Sequence, residues 1–92
     1  MEIQHRESGT KGAFFVEQNG RQLAEMTYVW AGQERIIIDH TEVSDELRGQ
    51  GAGKQLVAAA VDFARERSIH IMPLCPFAKS VFGRVPEFQD VL

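Results

Sequence analysis

The chain predicts an α+β fold: a mainly antiparallel sheet that carries one long helix and a shorter one after it. Three observations predict it. The first half contains consecutive β-rich runs joined by tight-turn residues. A segment from Ala52 to Arg67 then repeats apolar residues at helical spacing. A short apolar run follows, and Pro76 opens a second helical pattern.

The elements follow in order. Glu2 to Arg6 carries a weak strand signal, and Ser8-Gly9-Thr10-Lys11-Gly12 has loop composition. Ala13 to Gln18 reads as a strand with aromatic and branched residues. Asn19-Gly20 is a two-residue hairpin turn, because both residues accept positive φ. Arg21 to Trp30 continues as a strand whose alternation slips near Ala24-Glu25, which predicts a bulge there. Ala31-Gly32-Gln33 turns the chain again. Arg35 to Val43 is the next strand, and Ile36-Ile37-Ile38 predicts burial on both faces and a central position.

These three strands form an antiparallel meander. Within the long helix, Leu56, Val57, Ala60, Val61 and Ala64 make one apolar stripe. Ile69 to Leu74 is a strand that follows a crossover helix, so it is expected to pair in parallel with Arg35–Val43 by a right-handed connection. Phe77, Ala78, Val81, Phe82 and Val85 form the stripe of the second helix. The tail from Glu87 to Leu92 has no assignment.

Ninety-two residues, 43% hydrophobic and 25% charged, suit one globular domain over 1–92. A formal charge of −3 argues against general nucleic-acid binding. No apolar run approaches the roughly 20 residues of a spanning helix, and the amino terminus lacks the apolar stretch of a secretion signal. Neither nucleic acid nor membrane is expected as a partner, and a cytoplasmic location is. The single cysteine, Cys75, excludes an internal disulfide and a multi-cysteine zinc site, so no metal is expected.

The stretch that bears on chemistry is Ser44 to Gln55. It lies between the Arg35–Val43 strand and the long helix, and it contains Arg48-Gly49-Gln50-Gly51-Ala52-Gly53-Lys54. Glycines at a strand-to-helix turn expose backbone N–H groups to an anion, and the helix dipole adds to the attraction. The spacing is neither the dinucleotide fingerprint nor a Walker loop. A plain glycine-rich turn without ligand is the other reading. Gly53 costs about 1 kcal/mol relative to alanine inside a first helical turn, which is expected where a bulky anion lies against the backbone. Arg48 adds a fork-shaped cation suited to phosphate.

Arg48-x-x-Gly51-x-Gly53 resembles the acyl-CoA pyrophosphate loop of the GNAT N-acetyltransferases, written Arg/Gln-x-x-Gly-x-Gly/Ala. Asp39-His40-Thr41-Glu42-Val43 before it, Pro73-x-Cys75 after it and Pro86-Glu87-Phe88 near the end resemble the small, minimal single-domain members of that superfamily. The likeness covers nearly the whole chain. It implies a truncated GNAT-like fold lacking the two helices that usually lie between the first two strands. It also implies acetyl-CoA, or coenzyme A, as the cofactor.

The resemblance implies roles residue by residue. Backbone N–H groups across Gly49, Gln50, Gly51, Ala52, Gly53 and Lys54 would hold the pyrophosphate, with Arg48 beside them. Glu42 and Val43 would pair their backbone with the pantetheine arm. Lys79 would meet the 3′-phosphate region, or is a solvated surface lysine. Cys75, ahead of Pro76 at a helix start, would attack acetyl-CoA to give an acetyl-cysteine, would line the pantetheine tunnel, or is a small buried hydrophobe.

His40 and Glu42 are the candidate bases. In a regular strand His40 shares a face with Ile38 and Glu42, and Asp39 and Thr41 point the other way. A His40–Cys75 pair across adjacent strands would resemble an activated thiol. Tyr28 and Trp30 are candidates for an acceptor groove or for the core, and His70 is a possible neighbour of Cys75. The expected activity is transfer of an acetyl group from acetyl-CoA to an unidentified amine, directly or through an acetyl-cysteine. The alternative is a non-catalytic CoA or acyl-CoA binding or sensing module. The amine, a small molecule or a protein, is the expected second partner, and the chain is expected to be a monomer or weak dimer.

Overall fold

The computed structural model describes residues 1–92 and contains a five-stranded sheet in sequence order. β1 (Gln4–Ser8), β2 (Lys11–Gln18), β3 (Arg21–Trp30) and β4 (Arg35–Val43) form an antiparallel meander. α1 (Ala52–Arg67) crosses over to β5 (His70–Pro73), which pairs with β4 in parallel. α2 (Pro76–Arg84) follows. Asp45–Leu47 and Pro86–Val91 are 3-10 helices, so the unassigned tail is ordered structure.

The β1–β2 connection is tighter than its composition suggests. Lys11 and Gly12 belong to β2, leaving Gly9-Thr10 as a two-residue turn with Gly9 at φ +63°. No helix lies between the first two strands, as the resemblance implies. Gly12 enters the strand because the Tyr28 ring lies where a Cβ would project. Asn19 and Gly20 both take positive φ, as a primed hairpin turn requires.

Two irregularities interrupt the ladders. Val16 pairs with Ala24 and Glu17 with Gln22, so the bulge falls at Leu23, one residue before the predicted slip. On the other side of β3, Thr27 pairs with His40 and Tyr28 with Ile38, which leaves Asp39 as the extra residue of β4. Thr27 Oγ1 donates a hydrogen bond to Asp39 Oδ1 at 2.6 Å and holds this bulge.

β4 is an inner strand of the sheet but is buried on one face only. Ile36 and Ile38 are fully buried, whereas Ile37 is half-buried. The three-isoleucine run therefore overstates its burial. The buried face joins Met26, Tyr28, Ile71, the α1 stripe and Ala78, Val81 and Phe82 of α2 in one core. Each fully buried branched side chain contributes about 1.5–3 kcal/mol. Arg65 holds the tail against α1 through Asp90, at 2.7 and 3.0 Å, and the Glu87 carbonyl at 2.7 Å.

α1 and α2 meet at Gly53. The Phe77 ring occupies the space that a Cβ at Gly53 would need. That packing accounts for a glycine in the first helical turn, in place of the close anion expected from its cost.

At the far end of the sheet a polar chain runs through an aromatic cluster. The Tyr28 hydroxyl donates to Glu7 Oε2 at 2.6 Å, and Trp30 Nε1 donates to the same oxygen at 2.7 Å. His5 Nε2 lies 2.7 Å from the phenol oxygen, whose proton is already committed, so the imidazole is the donor there. His5 stacks on Phe14 and meets the edge of Phe63. Tyr28 is thus a core residue and Trp30 packs against that core, so neither is positioned as a groove wall.

Burial holds the His5 imidazole below its usual value of 6.5, against the opposing effect of Glu7 and with a smaller push from Arg67. The bonds from Tyr28 and then Trp30 hold the Glu7 carboxyl below 4.5. Burial, then the Glu7 bond, raises the Tyr28 phenol.

Two predictions follow from these contacts. Gly53→Ala is expected to destabilise the fold by about 1–3 kcal/mol in urea unfolding, with most of the loss recovered in Gly53→Ala/Phe77→Leu; additive effects of the two changes would contradict the packing account. The second concerns pH. His5 is neutral in the native state, so its contribution is complete above about 6.5 and is lost as pH falls towards its lowered native value. Melting temperature should therefore fall from neutral pH into the mildly acidic range, and His5→Gln should flatten that slope. Glu7 contributes above 4.5 and loses its contribution as pH falls further, so the loss in that lower window should persist in the variant.

Candidate active site

The site is built at the carboxyl end of β4. β5 pairs with β4 only from Arg35 to Ile38. The Leu74 and Cys75 N–H groups both donate to the Ile38 carbonyl, at 2.9 and 3.2 Å, and the chain then leaves the sheet. His40 to Val43 therefore keep their β3 pairing and have no strand on the other side. The result is an open backbone edge at the middle of the fold. Such an edge can take an extended amide chain as if it were a strand.

The loop after β4 ends in an uncapped helix start. Ser44 caps the Asp45–Leu47 turn through the Glu46 N–H at 3.2 Å. Gly49 at φ +81° and Gly51 at φ +68° both need the left-handed region, and a Cβ at either would project into open space. These two glycines serve the backbone path and leave the space above it free.

Gly51 caps α1 without a side-chain acceptor. The Gln50 N–H bonds Leu47 O at 3.1 Å, and the Gln55 N–H bonds Gly51 O at 3.0 Å. The N–H groups of Gly49, Gly51, Ala52, Gly53 and Lys54 have no acceptor within the chain. Free donors at the positive end of a 16-residue helix make a candidate anion cradle. Arg48 is exposed beside it, with Nη2 3.0 Å from Asp45 Oδ1.

Cys75 sits where β5 gives way to α2. Its Sγ accepts the Ala78 N–H at 3.3 Å and so caps α2. The same sulfur lies 3.3 Å from Thr41 Oγ1. Cys75 is 7% exposed, at the edge of the core. The thiol thus faces the open part of β4 from the helix side of the sheet.

The bulge at Asp39 changes which β4 residues face the thiol. One extra residue reverses the alternation, so Thr41, and not His40, follows Ile38 onto the helix face. His40 and Glu42 share the opposite, exposed face, with Nε2 and Oε1 3.7 Å apart. The regular-strand expectation for Asp39 to Thr41 fails for this reason. This bulge shows only in the cross-strand pairing, and the residues of β4 alone carry no sign of it.

The remaining candidates are distributed as follows. Glu42 and Val43, with Gln22, Ala24, Glu25 and Ser44, border a cleft of about 270 Å³ where the start of β3 meets the end of β4. Lys79 lies on α2, exposed. His70 is at the start of β5, opposite Arg35, and so at the other end of the strand from the site.

Comparison with known proteins gives the family. The profile of the GCN5-related N-acetyl-transferase family matches residues 13–91. A solved GCN5-like candidate N-acetyltransferase from Staphylococcus aureus is 42% identical, with a TM-score of 0.72 over 98% of this chain and 85% of that one. Protein NATD1 of Xenopus tropicalis is 36% identical over 63 residues, 67% of this chain and 58% of that protein. The match therefore spans little more than half of the curated relative. A protein from Clostridium acetobutylicum described as a predicted acetyltransferase, solved with acetyl-CoA, shares the fold at a TM-score of 0.66 and 17% identity, over 82% of this chain and 56% of that one. The fold, the loop and these matches agree: the chain belongs to the GCN5-related N-acetyl-transferase family.

Proposed function

We propose that the chain binds acetyl-CoA across the end of β4 and the start of α1 and moves its acetyl group to an amine. The observation that carries this reading is the set of acceptor-free N–H groups at Gly49 and from Gly51 to Lys54, directly beyond the open edge of β4. The pyrophosphate takes the N–H cradle with Arg48 alongside. The pantetheine arm, an extended chain with two amides, pairs with the free edge at Glu42 and Val43. The fold shared with the Clostridium acetobutylicum protein solved with acetyl-CoA supports the same donor.

This pose brings the thioester to the gap where β5 departs from β4. Cys75 and Thr41 stand on the helix side of that gap, and His40 and Glu42 on the exposed side. In direct transfer, the amine nitrogen attacks the thioester carbonyl carbon and the carbon–sulfur bond to CoA breaks. His40 or Glu42 takes the amine proton, and the CoA sulfur leaves as a thiolate and is then protonated. In the covalent route, the Cys75 sulfur attacks the same carbon and CoA leaves. The amine then attacks the acetyl-cysteine and releases the thiol. A free backbone N–H at the strand edge would stabilise the carbonyl oxygen in either case. No acceptor class is favoured by the residues around the gap.

Calorimetric titration with acetyl-CoA tests the donor. Binding in the micromolar range is expected, and Gly51→Val should weaken it about tenfold, a change of about 1.4 kcal/mol, because valine resists the left-handed φ. Absence of binding at high-micromolar acetyl-CoA overturns the reading. Release of CoA in the presence of a panel of amines tests the transfer; binding without release above background makes the chain a CoA-binding module. Intact-protein mass spectrometry after exposure to acetyl-CoA separates the routes. An unmodified Cys75, together with full turnover by Cys75→Ala, excludes the covalent one.

A further inference from the structure

The thiol and the two candidate bases stand on opposite faces of β4. The Cys75 sulfur has two polar partners in the chain. The Ala78 N–H can only donate to it, at 3.3 Å, and Thr41 Oγ1 lies at the same distance. The proton of the thiol therefore has one acceptor, the Thr41 oxygen, and that oxygen has no other partner in the chain. We propose that Thr41 is the positioning residue of the Cys75 thiol. Its oxygen accepts the S–H while the sulfur is protonated, and its hydroxyl donates to the sulfur once that proton has gone. The consequence for acetyl transfer rests on the acetyl-CoA reading, whereas the effect on the thiol itself does not.

Three observations carry it. The first is the lack of any ionisable group that could take this role. His40 and Glu42 face away from the sulfur, and His70 is at the far end of β5. Lys54 on α1 and Lys79 and Arg84 on α2 are exposed, and none bonds to Sγ. The second is the bulge. In a regular strand His40 would follow Ile38 onto the helix face. The extra residue at Asp39 puts Thr41 there instead, and the bond from Thr27 at 2.6 Å holds it so. A hydroxyl thus replaces an imidazole at the thiol.

The third is the chemistry of the side chain. A hydroxyl both accepts and donates, so it can serve the thiol and the thiolate in turn. Branching at Cβ restricts the threonine χ1, and Thr41 is pinned opposite Met26 in the β3–β4 ladder. Thr41 is also partly exposed, so water reaches it. In the covalent route a sulfur electron pair forms the bond to the acetyl carbon, and the bond from that carbon to the CoA sulfur breaks. The Cys75 proton leaves to water by way of Thr41, and the departing CoA thiolate takes a proton from water.

Alkylation by iodoacetamide tests the proposal without CoA. The chain has one cysteine, so intact-protein mass spectrometry follows that thiol alone. Thr41→Val keeps the branched shape and removes the hydroxyl. It is expected to slow alkylation about tenfold at neutral pH, the scale of one hydrogen bond to a charged atom, and Thr41→Ser should restore most of the rate. A side chain that only fills space predicts the opposite sign, because loosening the site uncovers a sulfur whose residue is 7% exposed. Circular dichroism and urea unfolding of each variant confirm that the fold is intact. Alkylation of Thr41→Val at the wild-type rate or faster overturns the proposal, as does Thr41→Ser reacting as slowly as Thr41→Val. With acetyl-CoA, Thr41→Val should bind with wild-type affinity and acetylate Cys75 about tenfold more slowly. Equal acetylation rates overturn the role in transfer. Absence of acetyl-CoA binding overturns the acetyl-CoA reading, and the alkylation rates still decide the role of Thr41.

Discussion

The extra residue at Asp39 is the constraint on which the site depends. Up to Ile38, β4 is an ordinary inner strand, paired on both sides and buried on one face. Beyond it the strand keeps only β3 as a neighbour, and its alternation is reversed. The Ile38 carbonyl accepts both the Leu74 and the Cys75 N–H groups, so β5 ends at the same level where the bulge begins. One inserted residue therefore opens an edge, turns Thr41 towards Cys75 and leaves His40 and Glu42 on the exposed face. Thr27 stabilises that geometry from β3 through its bond to Asp39.

The start of α1 shows glycine used for two separate physical reasons within a few residues. Gly49 and Gly51 are required by positive φ and leave open space above the backbone. Gly53 has ordinary helical geometry and is required by the Phe77 ring. The first pair exposes donors. The third residue lets α2 approach, and α2 in turn holds Cys75 at its cap. The cradle and the thiol are thus connected by packing as well as by chain order.

Stability and site are concentrated at opposite ends of the sheet. The His5–Tyr28–Glu7–Trp30 chain and the aromatic rings around Phe63 lie near the carboxyl end of α1, whereas the cradle lies at its amino end. The apolar stripe of α1 spans the distance between them. The far end is well satisfied in hydrogen bonds, and the near end holds unpaired N–H groups and a free strand edge. Unused backbone donors cost free energy unless solvated or bound to a ligand, and they remain where a ligand can take them up.

Much of this was legible in the order of residues. The meander, the hairpin at Asn19-Gly20, the limits of α1, the Pro76 start of α2 and the parallel return of β5 all arise from local signals. Apolar period, positive-φ residues and proline act within a few residues of themselves. The glycine loop was legible for the same reason, as was its resemblance to a CoA-binding loop. The tertiary structure alone decided the bulge at Asp39, the one-sided burial of Ile37, the Thr41–Cys75 contact, the Phe77 ring over Gly53 and the burial of Tyr28. Each depends on which distant residue stands opposite, and that is settled by packing across strands and layers. The sequence by itself determined that a glycine loop leads from β4 into α1. Only the folded sheet decided which side chains face the opening beside it, because a single bulge reverses every face that comes after it.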